Sequence, residues 1–197
     1  MRIPREAIDE GLARMVHRGP DAAGLYENGS VFLGIRRLSI IDVAGGKQPV
    51  FNEDRSVVVV LNGEIYNYVE LMAELKAGGH AFTTRSDTEV LVHLYEEMGE
   101  AMVSKLRGMY AFAIWDERRQ SLFLARDRLG KKPLYYTRTK EGGFLFASEL
   151  KALKPLAQAG GEKWRIRQQG IYDYLSLGVI PQPDTVYEQV QSLPAAH

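Results

Sequence analysis

Cysteine is absent from this sequence of 197 residues. Its absence excludes disulfide bonds, thiolate metal sites and a cysteine nucleophile within these residues. No apolar run approaches the roughly 20 residues that a membrane-spanning helix needs. The first residues also lack the apolar core of a signal peptide. The sequence therefore predicts a cytoplasmic protein that has no membrane partner.

A net charge of one sign is also lacking, because 25 basic and 25 acidic residues balance to a formal charge of zero. No broad electrostatic field would attract nucleic acid, so we predict no nucleic-acid partner. The 4 histidines are scattered without an HExxH pattern or any paired spacing, which predicts no metal site. The sequence also contains neither a P-loop nor a GxGxxG motif.

Two segments of the sequence read as strands that are apolar on both faces. Val57 to Leu61 is apolar throughout, and Tyr110, Phe112 and Ile114 alternate with small or aromatic residues. Such strands need cover on both sides. Polar turns near residues 117–120 and 140–143 predict two hairpins, and hence antiparallel sheets. An α+β fold, in which sheets stack face to face between layers of helices, satisfies both observations.

Apolar periodicity and flanking residues predict the remaining elements. Helices are predicted at Pro4 to Val16, Tyr68 to Lys76, Ser86 to Met98, Glu149 to Leu156 and Gln168 to Leu177, and a strand at Val31 to Ile41. Ser86 and Glu89 have the spacing of a capping box, so that Asp87 falls in the first turn of its helix. We predict one domain over residues 1–180, followed by a linker over residues 181–197 that begins at a proline-rich turn.

Asn62 and Gly63 end the predicted core strand and allow two interpretations. One is an ordinary turn, because the Asn-Gly pair favours positive φ. The other is an oxyanion hole, in which the amide of Asn62 and the backbone N–H of Gly63 converge on one oxygen. The sequence leaves both interpretations open.

Three charged residues could form a clamp for an amino acid. Arg37 lies on a strand otherwise suited to burial, so it needs an anion, either the carboxylate of Asp42 or that of a substrate. Asp87 is either stabilised by a helix dipole or receives a substrate ammonium, and Glu64 could assist it. An amino-acid clamp beside an oxyanion hole indicates hydrolysis of an amino acid's side-chain amide.

A set of motifs carries a resemblance to a known family. In chain order they are HRGPD, RRLSIID, NGEIYNY, RSDTEV, LRGMYAFAIWD, RDRLGKKPLYY and FASELKAL. From about His17 onwards, this ordered set resembles the glutaminase domain of glutamine-hydrolysing asparagine synthetase. That domain is a class II, or N-terminal nucleophile, glutamine amidotransferase. The resemblance implies a four-layer αββα sandwich of two antiparallel sheets, with glutamine as the substrate.

The resemblance also implies roles for individual residues. Asn62 and Gly63 are implied to form the oxyanion hole. Glu64 and Asp87 are implied to hold the amino-acid head of glutamine. Arg37 is implied to partner the glutamine carboxylate. The residues whose backbone is implied to line the pocket are Leu38, Ser39, Ile40 and Ile41.

The sequence departs from the family pattern at its beginning. Family members begin with a cysteine that is exposed when the initiator Met is removed, and the α-amino group of that cysteine acts as the base. Met1 and Arg2 supply neither this nucleophile nor the first strand. We expect that the start is truncated, that the chain alone is inactive, and that its uncovered sheet edge favours self-association. A naturally non-catalytic relative is the alternative.

The family pattern also extends beyond this sequence. Family members continue into an ATP-dependent synthetase domain with an SGGxDS-like loop, which is absent from these residues. The expected partners are therefore glutamine and that synthetase domain, where ATP and Mg would act and aspartate would be amidated. No cofactor is expected in the glutaminase domain. Two alternative functions remain, a non-catalytic glutamine-binding regulatory module and an amidotransferase for an acceptor other than aspartate.

Overall fold

A computed structural model of the chain describes residues 3–29 and 31–197. The helices are α1 (Arg5–Ala13), α2 (Tyr68–Ala77), α3 (Glu89–Met98), α4 (Leu150–Ala159) and α5 (Gln168–Leu177), and a 3₁₀ helix follows α3 at Gly99–Ser104. The strands are β1 (Ala22–Asn28), β2 (Val31–Arg37), β3 (Val50–Phe51), β4 (Val57–Ile65), β5 (Gly108–Asp116), β6 (Ser121–Arg126), β7 (Tyr135–Arg138), β8 (Phe144–Ala147) and β9 (Gln191–Ser192). None of the described helices is long and apolar enough to cross a membrane.

The largest sheet has the antiparallel strand order β3-β4-β5-β6. Because side chains alternate along a strand, β4 has two buried faces. Val59 and Leu61 pack with the leucines of α2 and α3. Val58 and Val60 pack on the opposite side, against Leu33 of β2. The predicted cover on both faces of this strand is therefore confirmed.

Two smaller sheets, β1-β2 and β8-β7-β9, form the second β layer. Leu33 of β2 and Phe146 of β8 both pack against the large sheet. On the outer side, Leu153 of α4 packs on Leu145 of β8, and α1 lies against α4. The layers follow the order α2 and α3, the large sheet, the two small sheets, and α1 with α4. The α+β class and the αββα layering are those expected from the sequence.

The second β layer is divided into two hydrogen-bonded sheets. Among residues 3–29 and 31–197, β2 pairs with β1 and β8 pairs with β7, and β2 does not pair with β8. Both strands line one largely apolar cavity of about 180 Å³, which α1 and α4 cover. The two small sheets stay separate because no described strand joins β2 to β8.

The region before α3 also differs from its prediction. The helix predicted from Ser86 begins at Glu89, so Asp87 lies in the preceding turn. The capping box does not form, because the Glu89 carboxylate accepts hydrogen bonds from the backbone and hydroxyl groups of Thr83 and Thr84. These four bonds measure 2.8, 2.9, 2.7 and 2.5 Å. Glu89 therefore fixes the approach to α3 instead of capping it.

The end of the chain packs onto the rest of the structure. β9 pairs with β7, and the Leu193 N–H donates to the Leu134 carbonyl at 2.8 Å. The buried hydroxyl of Thr185 donates to the Val190 carbonyl at 2.9 Å. These contacts attach the segment after Pro181 to the domain, while the boundary near residue 180 stays a prediction.

Candidate active site

A cavity of about 310 Å³ opens where β2, β4 and the turn before α3 meet. It brings together nearly all the site residues predicted from the sequence. Those that line it are Arg37, Leu38, Ile40, Ile41, Asn62, Gly63, Glu64 and Asp87. Ser39 does not line it, because the Ser39 N–H turns away to donate to Asp21 Oδ2 at 2.7 Å.

Asn62 and Gly63 lie within β4 and not in a turn. They pair with Ala111 and Tyr110 of β5. The turn interpretation of the Asn-Gly pair is therefore wrong. The long pairing between β4 and β5 overrides the local preference of this dipeptide.

The edge of β4 that faces the cavity shows why the Gly63 N–H is available. Alternate residues of a strand direct their N–H groups to the same edge. The Leu61 N–H donates to Gln48 Oε1 at 2.7 Å, and the Ile65 N–H donates to Asp87 Oδ2 at 2.9 Å. Gly63 lies between these two residues and lines the cavity. Its N–H is thus directed to the cavity, between the side chains of Gln48 and Asp87, which accept hydrogen bonds from the neighbouring N–H groups.

Asn62 adds a second donor beside that N–H. Its Nδ2 atom is buried and has no hydrogen-bond partner in the described part of the chain. A buried donor without a partner costs roughly 1–3 kcal/mol. Such a cost is characteristic of a group that awaits a ligand, and two adjacent donors suit the oxygen of a reacting carbonyl.

Asp87 and Glu64 supply negative charge to the same cavity. Asp87 is 5% exposed, and its carboxylate accepts hydrogen bonds from the Ile65 N–H and the Ser86 hydroxyl. Burial raises the pKa of Asp87, and the charge of Glu64 raises it further against those two hydrogen bonds. A cation between the two acids would relieve both effects, so the pair suits an ammonium group.

Arg37 holds the loop that follows β2. Its Nη1 donates to Ser39 Oγ at 2.9 Å and to the Val43 carbonyl at 3.4 Å. Its Nη2 donates to the carbonyls of Ile41 and Asp42 at 2.7 and 3.0 Å. These bonds use all four Nη hydrogens, so Arg37 positions part of the cavity wall in addition to contributing charge.

Asp42 does not form the ion pair with Arg37 that the sequence left open. Its carboxylate accepts instead from the backbone N–H groups of Gly45 and Arg85, at 3.0 and 2.9 Å. The bond from Arg85 and then that from Gly45 lower the pKa of Asp42, and the charge of Arg37 makes a smaller contribution. Arg37 is 8% exposed and pairs with no carboxylate among the described residues. No described carboxylate neutralises its positive charge, although its Nη hydrogens are bonded to the loop after β2.

Gln48 is a site residue that the sequence analysis missed. Its amide oxygen accepts from the Leu61 N–H, while its Nε2 donates to the Leu61 carbonyl at 3.3 Å and to Thr88 Oγ1 at 3.2 Å. The side chain thus extends the edge of β4 beyond β3 and joins it to the turn that carries Asp87. A glutamine beside a proline gives little signal in the sequence, because it reads as ordinary loop.

Two of the sequence motifs meet beside the cavity. His17 Nε2 lies 2.9 Å from Glu149 Oε1, and the Arg18 Nη1 donates to the same oxygen at 3.3 Å. Lys151 completes the group, with its Nζ 3.2 Å from Glu149 Oε2. These contacts join α4 to the segment after α1, and they give the HRGPD and FASELKAL motifs a shared structural role.

Comparison with known proteins agrees with this geometry. The model of the glutamine amidotransferase domain family matches residues 2–197. Asparagine synthetase [glutamine-hydrolyzing] 1 of Bacillus subtilis (strain 168) is 45% identical over 188 residues, which are 95% of this chain and 29% of that protein. Asparagine synthetase [glutamine-hydrolyzing] 2 of Oryza sativa subsp. japonica is 49% identical over 149 residues, which are 76% of this chain and 25% of that protein.

Solved structures share the fold. One described as the allosteric regulatory enzyme of purine biosynthesis is 25% identical with a TM-score of 0.64, and the match covers 79% of this chain and 41% of that one. Glutamine phosphoribosylpyrophosphate amidotransferase from B. subtilis, at 22% identity and a TM-score of 0.62, matches 82% of this chain and 42% of its own.

The chain spans less than a third of the length of the curated relatives named above, 29% of one and 25% of the other. The family match, in contrast, covers residues 2–197. The resemblance drawn from the ordered motifs is thereby confirmed. The chain belongs to the glutamine amidotransferase domain family and is homologous to the glutaminase domains of asparagine synthetases.

Proposed function

We propose that the cavity binds glutamine and that this domain takes part in hydrolysing its side-chain amide. The main support is the unpaired, buried Nδ2 of Asn62 beside the N–H of Gly63. These two donors would receive the amide oxygen of glutamine. Glu64 and Asp87 would hold its α-ammonium, and the charge of Arg37 would attract its α-carboxylate.

In the proposed reaction a cysteine thiolate attacks the amide carbon of glutamine. The carbonyl oxygen becomes an oxyanion that Asn62 and Gly63 stabilise, and ammonia leaves with a proton as the C–N bond breaks. Water then cleaves the thioester, which yields glutamate and the free thiol. Because none of these 197 residues is a cysteine, they supply binding and oxyanion stabilisation, and the thiol comes from outside them.

The use of the ammonia forms a further part of the proposal. Two relatives that this chain matches are named as glutamine-hydrolysing asparagine synthetases. We infer that ammonia passes to an aspartate activated with ATP and Mg²⁺ in a synthetase domain. In this scheme the amide acceptor is chosen by that domain and not by the residues described above.

Glutamine binding should depend on the charged residues of the cavity. A hydrogen bond to a charged group contributes about 1.5–3 kcal/mol, so Asp87→Asn should weaken binding roughly ten- to a hundredfold. Arg37→Ala should also weaken it, because it removes a positive charge and the bonds that hold the loop after β2. Isothermal titration calorimetry with glutamine measures this effect. Asp173→Asn on α5, which does not line the cavity, is the matched control and should bind like the unmodified chain. Equal affinity in all four proteins, or no binding by the folded unmodified chain, would contradict the proposal.

The raised pKa of Asp87 predicts a pH-dependent difference in stability. Folded Asp87 holds its proton more tightly than the unfolded chain does, because burial raises its pKa. Its stabilising contribution is full below the ordinary aspartate pKa of about 3.9 and is lost as pH rises through the folded value. Asparagine does not titrate, so Asp87→Asn does not lose stability in this way. As the pH rises from about 3.9 through the folded pKa of Asp87, the unfolding free energy of Asp87→Asn should therefore rise relative to that of the unmodified chain. Urea unfolding of both proteins at several pH values tests this, and parallel curves would refute it.

A further inference from the structure

A second cluster of titratable side chains lies apart from the cavity. It consists of Glu53 after β3, His80 after α2, and His93 and Glu96 on α3. None of these four residues lines the glutamine cavity. One ligand atom from each residue lies within 4.8 Å of the others. The fold thus brings together two histidines whose separation along the sequence predicted no site.

The distances within this cluster match those among the ligands of one metal ion. His93 Nδ1 lies 3.4 Å from both Glu53 Oε2 and Glu96 Oε2. His80 Nδ1 lies 3.5 Å from Glu53 Oε1 and 3.8 Å from Glu96 Oε2. Tetrahedral zinc, with bonds of about 2.0–2.2 Å, keeps its ligand atoms roughly 3.3–3.6 Å apart. Glu53 approaches the two histidines through different oxygens, so its carboxylate would bind through both of them or turn to present one. The other three side chains would need only small shifts, because the four ligand atoms already lie within 4.8 Å of one another.

Hydrogen bonding alone leaves this cluster poorly satisfied. The His93 side chain is 1% exposed, and its Nδ1 carries at most one proton for two carboxylates that lie equally close. Its Nε2 lies 3.9 Å from Glu89 Oε1 and would carry the ring proton if Nδ1 bound an ion. A divalent cation at Nδ1 would bind both carboxylates at once.

The groups around the cluster orient its side chains. His80 Nε2 lies 3.0 Å from Glu97 Oε1, the usual arrangement for the second nitrogen of a metal-binding histidine. Asn52 Nδ2 donates to Glu96 Oε1 at 2.7 Å, which leaves Oε2 of Glu96 directed toward the two histidines. The Ala81 N–H donates to Glu53 Oε1 at 3.0 Å, which leaves Oε2 of Glu53 directed toward His93.

We propose that Glu53, His80, His93 and Glu96 form a binding site for a divalent transition-metal ion, with zinc as the ion that fits best. Imidazole nitrogen suits zinc, and a closed set of four protein ligands is typical of a structural rather than a catalytic zinc site. The ion would join α3 to the segments after β3 and α2. Because the turn that carries Asp87 leads directly into α3, the same ion would stabilise one wall of the glutamine cavity.

Zinc titration of the metal-free chain tests this proposal. We expect calorimetry to show one Zn²⁺ bound per chain. Residues that only hydrogen-bond to metal ligands contribute 10–100-fold to affinity, so loss of the ligand itself in His80→Asn should lower the affinity more than about a hundredfold. Glu97→Gln should lower it roughly 10–100-fold. His17→Asn is the matched control, because His17 also pairs with a glutamate but lies outside the cluster. His80 is partly exposed, so its substitution spares the core, and circular dichroism checks the fold.

Two further measurements identify the site that binds the ion. At a hundredfold excess over its Kd, Zn²⁺ should raise the Tm by roughly 5–10 °C in the unmodified chain, and far less in His80→Asn. Co²⁺ in place of zinc should give the visible absorption of a tetrahedral complex, and this absorption should vanish in His80→Asn. Absence of Zn²⁺ binding, or binding and absorption unchanged by both His80→Asn and Glu53→Gln, would overturn the proposal and leave an ordinary ion-pair cluster.

Discussion

Gly63→Ala should lower the free energy of unfolding by about 3–5 kcal/mol, which combines backbone strain with a steric clash in the core. A Cβ atom on this residue would lie 2.1 Å from the Met109 carbonyl oxygen and 2.7 Å from the Tyr110 Cα. Both are backbone atoms of β5, which pairs with β4 along its whole length and has little freedom to move. The φ angle of +152° adds strain for any residue with a side chain.

Gly142→Ala is the matched control for this prediction. Gly142 also has a positive φ, of +83°, but a Cβ there would meet nothing within 4 Å. Its substitution should therefore cost only the strain of a left-handed residue, roughly 1–2 kcal/mol. Urea unfolding of both variants separates the steric clash from the strain. Equal losses in the two variants would show that the approach to Met109 is unimportant.

Gly63 has two roles, because it packs against β5 and also contributes a donor to the cavity. The close approach of β4 to β5 requires glycine, and the same residue directs its N–H to the cavity. A loss of glutamine binding in Gly63→Ala would thus mix unfolding with the loss of a contact. For this reason Asp87→Asn, whose amide oxygen can still accept from the Ile65 N–H, is the better probe of binding.

Patterns along the chain predict those parts of the fold that short segments determine. The helix predicted at Gln168 to Leu177 has these bounds in the structure, because Gly178 adopts the left-handed conformation that ends helices. The two predicted hairpins are present as β5-β6 and β7-β8. β1 was missed, since its sequence AAGLYEN contains no β-branched residue and is stabilised by pairing with β2.

The candidate site was less predictable wherever long-range contacts decide it. The sequence identified Asn62, Gly63 and Asp87, but it left the turn and strand interpretations of Asn62 and Gly63 open. Their place in β4 depends on pairing with β5, far along the chain. The contacts of Gln48 and the meeting of His80 with His93 depend on the packed tertiary structure and leave no local pattern. Such groups are found only after the elements have been assembled.

The groove between β2 and β8 leads to the last prediction, which concerns the missing nucleophile. β2 and β8 both run from the far end of the groove, near Phe32 and Phe144, toward the candidate active site, which Arg37 and Ser148 line. α1 covers the groove, and the segment that follows it reaches the candidate active site at Met15. A strand placed ahead of α1 would therefore begin at the cavity and run antiparallel to both neighbours.

An added strand of this kind should give the chain glutaminase activity. We expect the 197-residue chain to release no glutamate above background, because it contains no thiol. An apolar strand of about six residues, fused ahead of α1 and beginning with cysteine after removal of the initiator Met, should pair with β2 and β8. It would place the thiol opposite Asn62 and Gly63. Glutamate release should then exceed background by roughly a thousandfold or more, given the cost of removing a nucleophile.

The same fusion with alanine as its first residue separates structure from chemistry. Both fusions should raise the Tm and reduce self-association, because the strand covers two open β edges and apolar side chains. Only the cysteine fusion should release glutamate, and Asn62→Ala within it should lower kcat by about 10²–10³-fold by removing an oxyanion donor. Thermal unfolding, light scattering and a glutamate assay measure these effects. A well-folded fusion with a verified free N-terminal cysteine that stayed inactive would contradict the hydrolytic proposal and favour a glutamine-binding module without chemistry.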